Sequence, residues 1–288
     1  MSGSITKGLV YDMPFEEYLA ADGVSASQLK AINRSPREAR VNVQRETDAM
    51  QFGTLLHAML FENKHLYTIR PDTYGPEGKK WNGNANECKA WMQAHAGETV
   101  ISSDTVIELT KAERAITGHP HFADLQLGKP EVSMFAFDYG QSGIQLKGRC
   151  DSLKVDGDDG IAHVTDLKTT TDASTRGFSR EILTRRYHVQ AAMYRRILKH
   201  LGYERMTWTF IILEKGDVPL VNIRRLEPQA IDFGEQQLER DLELFKKCRS
   251  FNWWPDFPDQ EEKVGYIDLP EFVYGDTETL SGMTPATN

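Results

Sequence analysis

The sequence predicts a single α/β domain built on a central mixed sheet flanked by helices. Three patterns predict it. Apolar residues recur at helical spacing through about residues 20–120. Three alternating segments then run between residues 131 and 168, divided by turn-forming clusters. A long helical stretch, two further alternating segments and a last helix follow, with no linker dividing them. At 288 residues the chain can bury a core without a disulfide or metal staple.

The chain reads as irregular up to Val24. Ser25 and Gln28 have capping-box spacing and open a short helix that stops near Ser35-Pro36. A second helix starts at Thr47 or Asp48 and carries Phe52, Leu55, Leu56, Met59 and Leu60. Residues 71–86, rich in Gly, Pro, Asn and Lys, read as a mobile loop, and 84–96 and 103–117 as short helices. Strands are expected at Glu131–Phe137, Ile144–Val155 and Ile161–Lys168. Turns at 138–143 and 156–160 would make them an antiparallel meander. One long helix over 176–201, strands at Thr207–Leu213 and Val218–Arg225, and a helix over 228–250 complete the core. The acidic, Pro-containing tail from Asn252 should lie over the surface. The expected division is one domain, 1–288, with a helical part at about 20–120, a core at about 125–250 and an irregular tail.

Forty per cent hydrophobic and 26% charged residues describe a globular chain rather than a disordered one. Three cysteines, at 88, 150 and 248, lack any CxxC pair, which argues against a disulfide framework and a four-cysteine metal site. They fit a reducing, cytoplasmic setting. The N-terminus has no secretory-signal pattern, and no apolar run is long enough to span a membrane. The net charge of -8 argues against a protein that coats nucleic acid indiscriminately. The charge is uneven, however. Residues 166–215 carry ten basic and five acidic side chains, and residues 226–276 carry five basic and thirteen acidic ones. The first stretch suits a polyanion-facing surface.

The chemistry concentrates in Gly148-Arg149-Cys150-Asp151 and Thr165-Asp166-Leu167-Lys168. Asp166 and Lys168 are two apart on a strand, so they leave one face. A hairpin would bring Asp151 beside Asp166. Two close carboxylates repel unless a divalent cation neutralises them, and Mg2+ prefers such oxygen ligands. A lysine at this spacing can orient or deprotonate an attacking water, or stabilise phosphoryl charge. The bland alternative is an exposed Asp–Lys surface pair.

Asp151…Asp166-Leu167-Lys168 resembles the core motif of the PD-(D/E)xK nuclease superfamily. Gly53-Thr54-Leu55-Leu56-His57 resembles the upstream helix motif of its RecB-like branch. Glu131 matches that branch's upstream acid, and Gln190 with Tyr194 matches its Gln-x-x-x-Tyr motif. Ser25-Ala26-Ser27-Gln28-Leu29-Lys30, Ser35-Pro36 and Phe52–Ala58 are similar to the opening of RecE-type exonucleases (exodeoxyribonuclease VIII). The likeness covers roughly residues 10–255. The proline of the motif name precedes neither metal aspartate.

The resemblance implies a PD-(D/E)xK fold with Asp151 and Asp166 as central metal ligands and the Leu167 carbonyl completing the shell. His57 would ligate or support the metal, and Glu131 would bind it or orient its water. Mg2+ is the implied ion, with Mn2+ able to substitute because imidazole is a poor Mg2+ donor. Lys168 would assist catalysis, and Gln190 and Tyr194 would position Lys168 or the scissile phosphate, or simply pack on the sheet. Arg185, Arg186, Lys79 and Lys80 would touch DNA or remain solvated charge. Cys150, Trp208 and Phe210 read as core. Trp253-Trp254 would cover an edge or an interface.

The implied activity is 5′-to-3′ degradation of one strand of linear duplex DNA, releasing mononucleotides and leaving 3′ tails for recombination. The implied partners are double-stranded DNA ends, three further copies of the chain in a ring-shaped homotetramer, and a RecT-type annealing protein. A compact phage or prophage setting fits the length. Two relatives remain as alternatives. A Cas4-like enzyme needs four cluster cysteines, and a RecB-like enzyme needs a fused helicase, whereas the chain has no Gly-x-x-x-x-Gly-Lys-Ser/Thr loop. A silent DNA-binding scaffold is the alternative from another class.

Overall fold

A computed structural model describes residues 7–41, 48–138, 142–156, 160–259 and 264–269. The N-terminal part runs β1 (Gly8–Val10), α1 (Phe15–Ala20), β2 (Val24–Ser25), α2 (Ala26–Arg34), α3 (Pro36–Val41) and α4 (Asp48–Glu62). Two-residue strands β3 (Thr68–Ile69), β4 (Thr73–Tyr74) and β5 (Lys79–Lys80) precede α5 (Asn86–Ala94), β6 (Val100–Ile101) and α6 (Ser103–Thr117). The long strands are β7 (Lys129–Phe137), β8 (Gln145–Asp156) and β9 (Ile161–Thr170). They lead to α7 (Thr175–Thr184), α8 (Tyr187–His200), β10 (Arg205–Glu214), β11 (Leu220–Arg225) and α9 (Pro228–Ser250).

Local chemistry accounts for the helix starts. The Ser25 hydroxyl accepts from the Gln28 amide at 3.3 Å, while the Gln28 side chain accepts from the Ser25 amide at 3.2 Å. Such a cap is worth about 1 kcal/mol. Ser102 caps α6 by accepting from Thr105 at 3.1 Å, and Pro228 sits in the first turn of α9, where no amide is needed.

The main sheet has the order β1-β7-β8-β9-β10-β11, with β2 added beside β8. β7, β8 and β9 pair antiparallel, as a meander should. β9 and β10 pair parallel, because α7 and α8 form the crossover between them. Both faces are covered. Leu167, Ile211 and Leu213 face α4 and α6 through Leu55, Leu56, Leu109 and Ile116. Val164, Trp208, Phe210 and Ile212 face the opposite core with Leu29, Val189, Met193, Ile197 and Leu242. Trp208 and Phe210 are therefore core, as their alternation predicts. Period two thus puts Asp166 and Lys168 on the α8 side of β9 and Leu167 on the α4 side.

Several expectations need correction. The segment before Val24 is not irregular, since β1 pairs with β7 and α1 precedes the cap. Residues 71–86 are not a plain loop, since Thr73 and Tyr74 pair with Lys80 and Lys79. The stretch 176–201 is not one helix. It breaks at Arg186, whose φ of 56° is left-handed. No Gly or Pro marks that break. Arg186 instead turns its guanidinium onto Asp241 of α9 at 2.6 Å. α9 can lie close there because Gly234 has no side chain; a Cβ would meet the His188 carbonyl oxygen at 2.2 Å. The centres of the turns at 138–143 and 156–160 lie outside the described residues, as does Thr47. The tail returns to α3, where Pro255 accepts from the Arg37 amide at 3.0 Å and Asp256 pairs with Arg37. Trp254 packs edge-on against Phe245, while Trp253 is exposed.

A candidate metal centre on adjacent strands

The paired register of β8 and β9 ends with Ser152 opposite Thr165, one residue short of Asp151 and Asp166 on the two neighbouring strands. The ladder gives way there to a side chain: Asp151 Oδ2 accepts from the Leu167 amide at 2.8 Å. Alternation slips at the same point. Cys150 and Leu153 both belong to the α8-side core, although they lie three apart along the strand. Cys150 Sγ lies 3.6 Å from Met134 Sδ in that core, and burial pushes its thiol up, so it is not an activated nucleophile.

Glu131 stands across from Asp151 on β7, between the pairs Pro130↔Ser152 and Val132↔Cys150. Its φ of 51° is unusual for a strand residue and turns its carboxylate toward the cluster. His57, from the middle of α4, fits between the two acids. Its Nδ1 lies 3.0 Å from Glu131 Oε1 and its Nε2 lies 3.5 Å from Asp151 Oδ1. Arg149 Nε donates to the other oxygen of Glu131, and its Nη1 donates to Met13 and Ser133 at 2.8 and 3.0 Å.

Lys168 and Asp166 make a close pair, Nζ to Oδ2 at 2.5 Å, as the shared strand face predicts. Asp166 is buried, so this is not the exposed surface pair of the bland reading. The electrostatics follow from burial. Desolvation pushes the Asp166 carboxyl up to about 6, opposed by Lys168 and reinforced by Asp151. Asp151 stays below the usual carboxylate range: burial raises it, but His57, Lys168 and the Leu167 amide outweigh that. Burial would lower His57, yet Asp151 and Glu131 lift it to about 10. Burial would likewise lower Lys168, but Asp166 and Asp151 raise it above its ordinary value. Lys168 is therefore a cation and a donor here, not a base.

This donor set fits a divalent cation. His57 lies between Glu131 and Asp151, Glu62 brings a donor within 4.8 Å of those of His57 and Glu131, and Asp166 on the neighbouring strand is near enough to feel the charge of Asp151. The buried Nε2 of His57 has no hydrogen-bond partner among the described residues, and Asp166 Oδ2 has only the Lys168 contact. Asp151, Asp166, Glu131 and His57 are the groups that would hold the ion.

Tyr194 and Gln190 lie one turn apart on α8 and meet different partners. The Tyr194 hydroxyl donates to the Arg149 carbonyl at 2.8 Å and accepts from the Arg149 amide at 3.1 Å. It is thus spent on the β8 backbone rather than on Lys168 or a phosphate. Gly148 makes this possible: a Cβ there would meet the Tyr194 ring at 2.8 Å. Gln190 Oε1 accepts from Lys30 Nζ at 3.2 Å.

The four basic residues expected at DNA divide. Arg185 is exposed and pairs loosely with Glu181 at 3.5 Å. Arg186 is the correction: Asp241 and Gln237 engage its mostly buried guanidinium, which ties α9 to the helix break. Lys79 and Lys80 lie exposed on the β4–β5 hairpin, where Lys79 pairs with Glu77 at 3.0 Å. Trp81 beside them is held by Trp91 and Arg70.

Two residues near the centre carry no local signal strong enough to find them. Glu62 ends α4, and its donor lies within 4.8 Å of those of His57 and Glu131. Its spacing from His57 matches no helical-face rule. Lys30 reaches the site from α2, and burial, then repulsion from Lys168, lowers its ammonium to about 7. Only the likeness of the segment Ser25–Lys30 to a nuclease opening pointed toward it.

The comparisons with known proteins bear on the fold. The profile of the family described as "PDDEXK-like domain of unknown function (DUF3799)" matches residues 25–269. A crystal structure of a protein from Eubacterium rectale, named as a candidate exonuclease, superposes with a TM-score of 0.60 at 13% identity. The match covers 95% of this chain and all of that one. A phage-related exonuclease from Haemophilus somnus gives a TM-score of 0.32 at 11% identity, covering 82% of this chain and 99% of that one, too low to carry an argument. No curated protein matches. The fold is the PD-(D/E)xK nuclease fold, and the chain belongs to the PDDEXK-like family whose profile spans it from Ser25 to Leu269.

Proposed function

We propose that the protein is a divalent-metal-dependent exodeoxyribonuclease. It would degrade linear double-stranded DNA from 5′ ends, release mononucleotides and leave 3′ single-stranded tails for recombination. The observation that supports the hydrolytic reading is Asp151 and Asp166 on neighbouring strands, with Lys168 paired to Asp166 and with His57 set between Asp151 and Glu131. The polarity, the recombination role, Mg2+ as the working ion and a phage or prophage setting come from the likeness to RecE-type exonucleases. So do the homotetrameric ring, the RecT-type partner and a cytoplasmic site of action. Among the described residues no helix is long and apolar enough to cross a membrane.

A bound divalent ion would supply positive charge to the phosphodiester and lower the pKa of water. The chain's own residues do the rest. Asp151 and Asp166 fix the site from two strands, so its geometry is as rigid as the sheet. Leu167 holds Asp151 through its amide. Lys168, kept charged by its acids, offers positive charge and hydrogens to phosphoryl oxygens as negative charge grows there.

The deciding assay uses linear duplex labelled at either the 5′ or the 3′ end, with Mg2+, beside a closed circular control. Early release of 5′ label as mononucleotide, an intact circle and complete loss of activity in EDTA are expected. Early release of 3′ label would overturn the polarity. Full activity after exhaustive chelation would overturn the metal-dependent reading of Asp151 and Asp166.

A further inference from the structure

Lys30 occupies an odd position for a lysine. It enters from α2, far in sequence from the strands, and lies partly buried beside the metal centre. An ammonium has three hydrogens to donate. The described residues take one of them, through Gln190 Oε1 at 3.2 Å. The Tyr187 ring lies beneath it, with Nζ 4.9 Å from the centroid. No carboxylate lies within ion-pair distance of Lys30 among the described residues; Lys168, Arg186 and Arg185 act on it as like charges, and Asp166 opposes them from beyond that distance. Those three have acids of their own, in Asp166, Glu181 and Asp241. Lys30 has an amide and a ring.

Burying a cation near other cations, with its nearest acid already paired to Lys168, is costly unless something else neutralises it. The Tyr187 ring also carries Lys168, with Nζ 5.1 Å from the centroid. The two ammonium groups therefore approach one ring, Lys168 committed to Asp166 and Lys30 uncommitted. Gln190 and Tyr187, both from α8, hold Lys30 in place with neutral contacts and leave its remaining hydrogens open to an anion.

We infer that Lys30 is a phosphate-binding residue of this site. It takes a phosphate of the cleaved strand next to the one being hydrolysed, and Gln190 and Tyr187 aim it. The inference rests on the nuclease reading and adds to it where the strand is gripped. Gln190 then has a positioning role through Lys30, separate from the backbone role of Tyr194.

The test is binding of a fluorescent, 5′-phosphorylated linear duplex in Ca2+, with single-turnover hydrolysis in Mg2+ measured in parallel. Lys30→Gln should weaken binding about tenfold and lower the slope of log affinity against log salt by about one. Lys30→Arg should keep the slope. Wild-type protein provides a second route that needs no variant. Replacing strand phosphates one at a time by neutral methylphosphonate should reveal one sensitive position beside the scissile phosphate. That sensitivity should vanish in Lys30→Gln. Wild-type binding and hydrolysis with an unchanged slope in Lys30→Gln, or with no sensitive neighbouring phosphate, overturn the assignment and leave the nuclease reading intact. A wild-type protein that neither binds nor cleaves linear DNA removes both.

Discussion

The hydroxyl of Tyr194 bridges both backbone polar groups of Arg149, donating at 2.8 Å and accepting at 3.1 Å, two residues before Asp151 on the same strand. A helix side chain thereby repairs a strand at the point where its alternation slips. Tyr194→Phe should leave two buried backbone groups unpaired and cost about 1–3 kcal/mol of stability. Hydrolysis should slow and metal affinity should fall, because Asp151 loses its fixed backbone, while binding of DNA in Ca2+ persists. Gly148→Ala should act in the same direction by pushing on the Tyr194 ring. Urea denaturation beside single-turnover rates checks both. A Tyr194→Phe protein with wild-type rates would show that the bridge does not position Asp151.

Lys168 and Asp166 share one contact but have different chemistry, so their removal should separate. Lys168→Ala should lower the single-turnover rate about 100-fold or more, the size expected for one donor aimed at developing charge. Metal binding should survive. Asp166→Ala should lose metal binding and activity together. Calorimetric titration with Mn2+ and Mg2+ distinguishes them, and wild-type rates in Lys168→Ala would remove it from the reaction.

The parts of the site that repeat at short range were legible in the sequence, and the parts made by long-range convergence were not. Asp166 and Lys168 sit two apart on a strand, and strand geometry alone gives that spacing a shared face. The Ser25–Gln28 cap is equally local and is present. Lys30 and Glu62 are set beside the cluster by how α2 and α4 pack on the sheet, and no spacing rule reaches that far. Arg186 shows the converse. Its sequence neighbours read as continuous helix, and an ion pair to Asp241, 55 residues away, accompanies the break. Tyr194 is legible in its motif, but its partner, the Arg149 backbone, is set by the packing of α8 on β8, for which Gly148 leaves room.

Asp138 anchors a second buried network away from the metal centre. It accepts from the Ser142 hydroxyl and amide at 2.6 and 3.1 Å, from Arg196 at 3.2 Å and from His200 at 2.8 Å. Burial alone would raise its pKa, but the Ser142, His200 and Arg196 contacts bring it below the ordinary value. A carboxyl with a depressed folded pKa stabilises the fold fully above its unfolded pKa of about 3.9. That contribution is lost as pH falls through the folded value. Asp138→Asn should therefore be less stable at neutral pH, by up to about 3–5 kcal/mol if Arg196 is left partly unpaired. Its deficit relative to wild type should shrink in acid. Thermal melts across about pH 3–7 test this, and a deficit independent of pH would show that the carboxylate charge is not what matters.

Part of the charge imbalance along the chain is settled inside one subunit, where three of the ten basic residues of 166–215 meet acids of α9. Arg186 pairs with Asp241 at 2.6 Å, Arg195 with Asp232 at 2.7 Å, and Arg196 with Glu235 and Glu239 at 2.5 Å each. The basic face of the α7–α8 segment and the acidic face of α9 thus neutralise each other where those helices pack. This weakens the simplest electrostatic reason for a ring with a basic lumen and an acidic rim, because Arg186, Arg195 and Arg196 are already spent. If the ring proposed from the family likeness forms, contacts other than attraction between these two stretches must hold it. Its mass should then survive salt. Light scattering at micromolar protein should give about four chains in low salt and again at about 0.5 M salt, where screening acts within a few ångströms. Dissociation at high salt would point to charge-held contacts between subunits. A strictly monomeric species with and without linear DNA would refute the ring, and Asp151, Asp166 and Lys168 would keep their proposed roles in a monomeric nuclease.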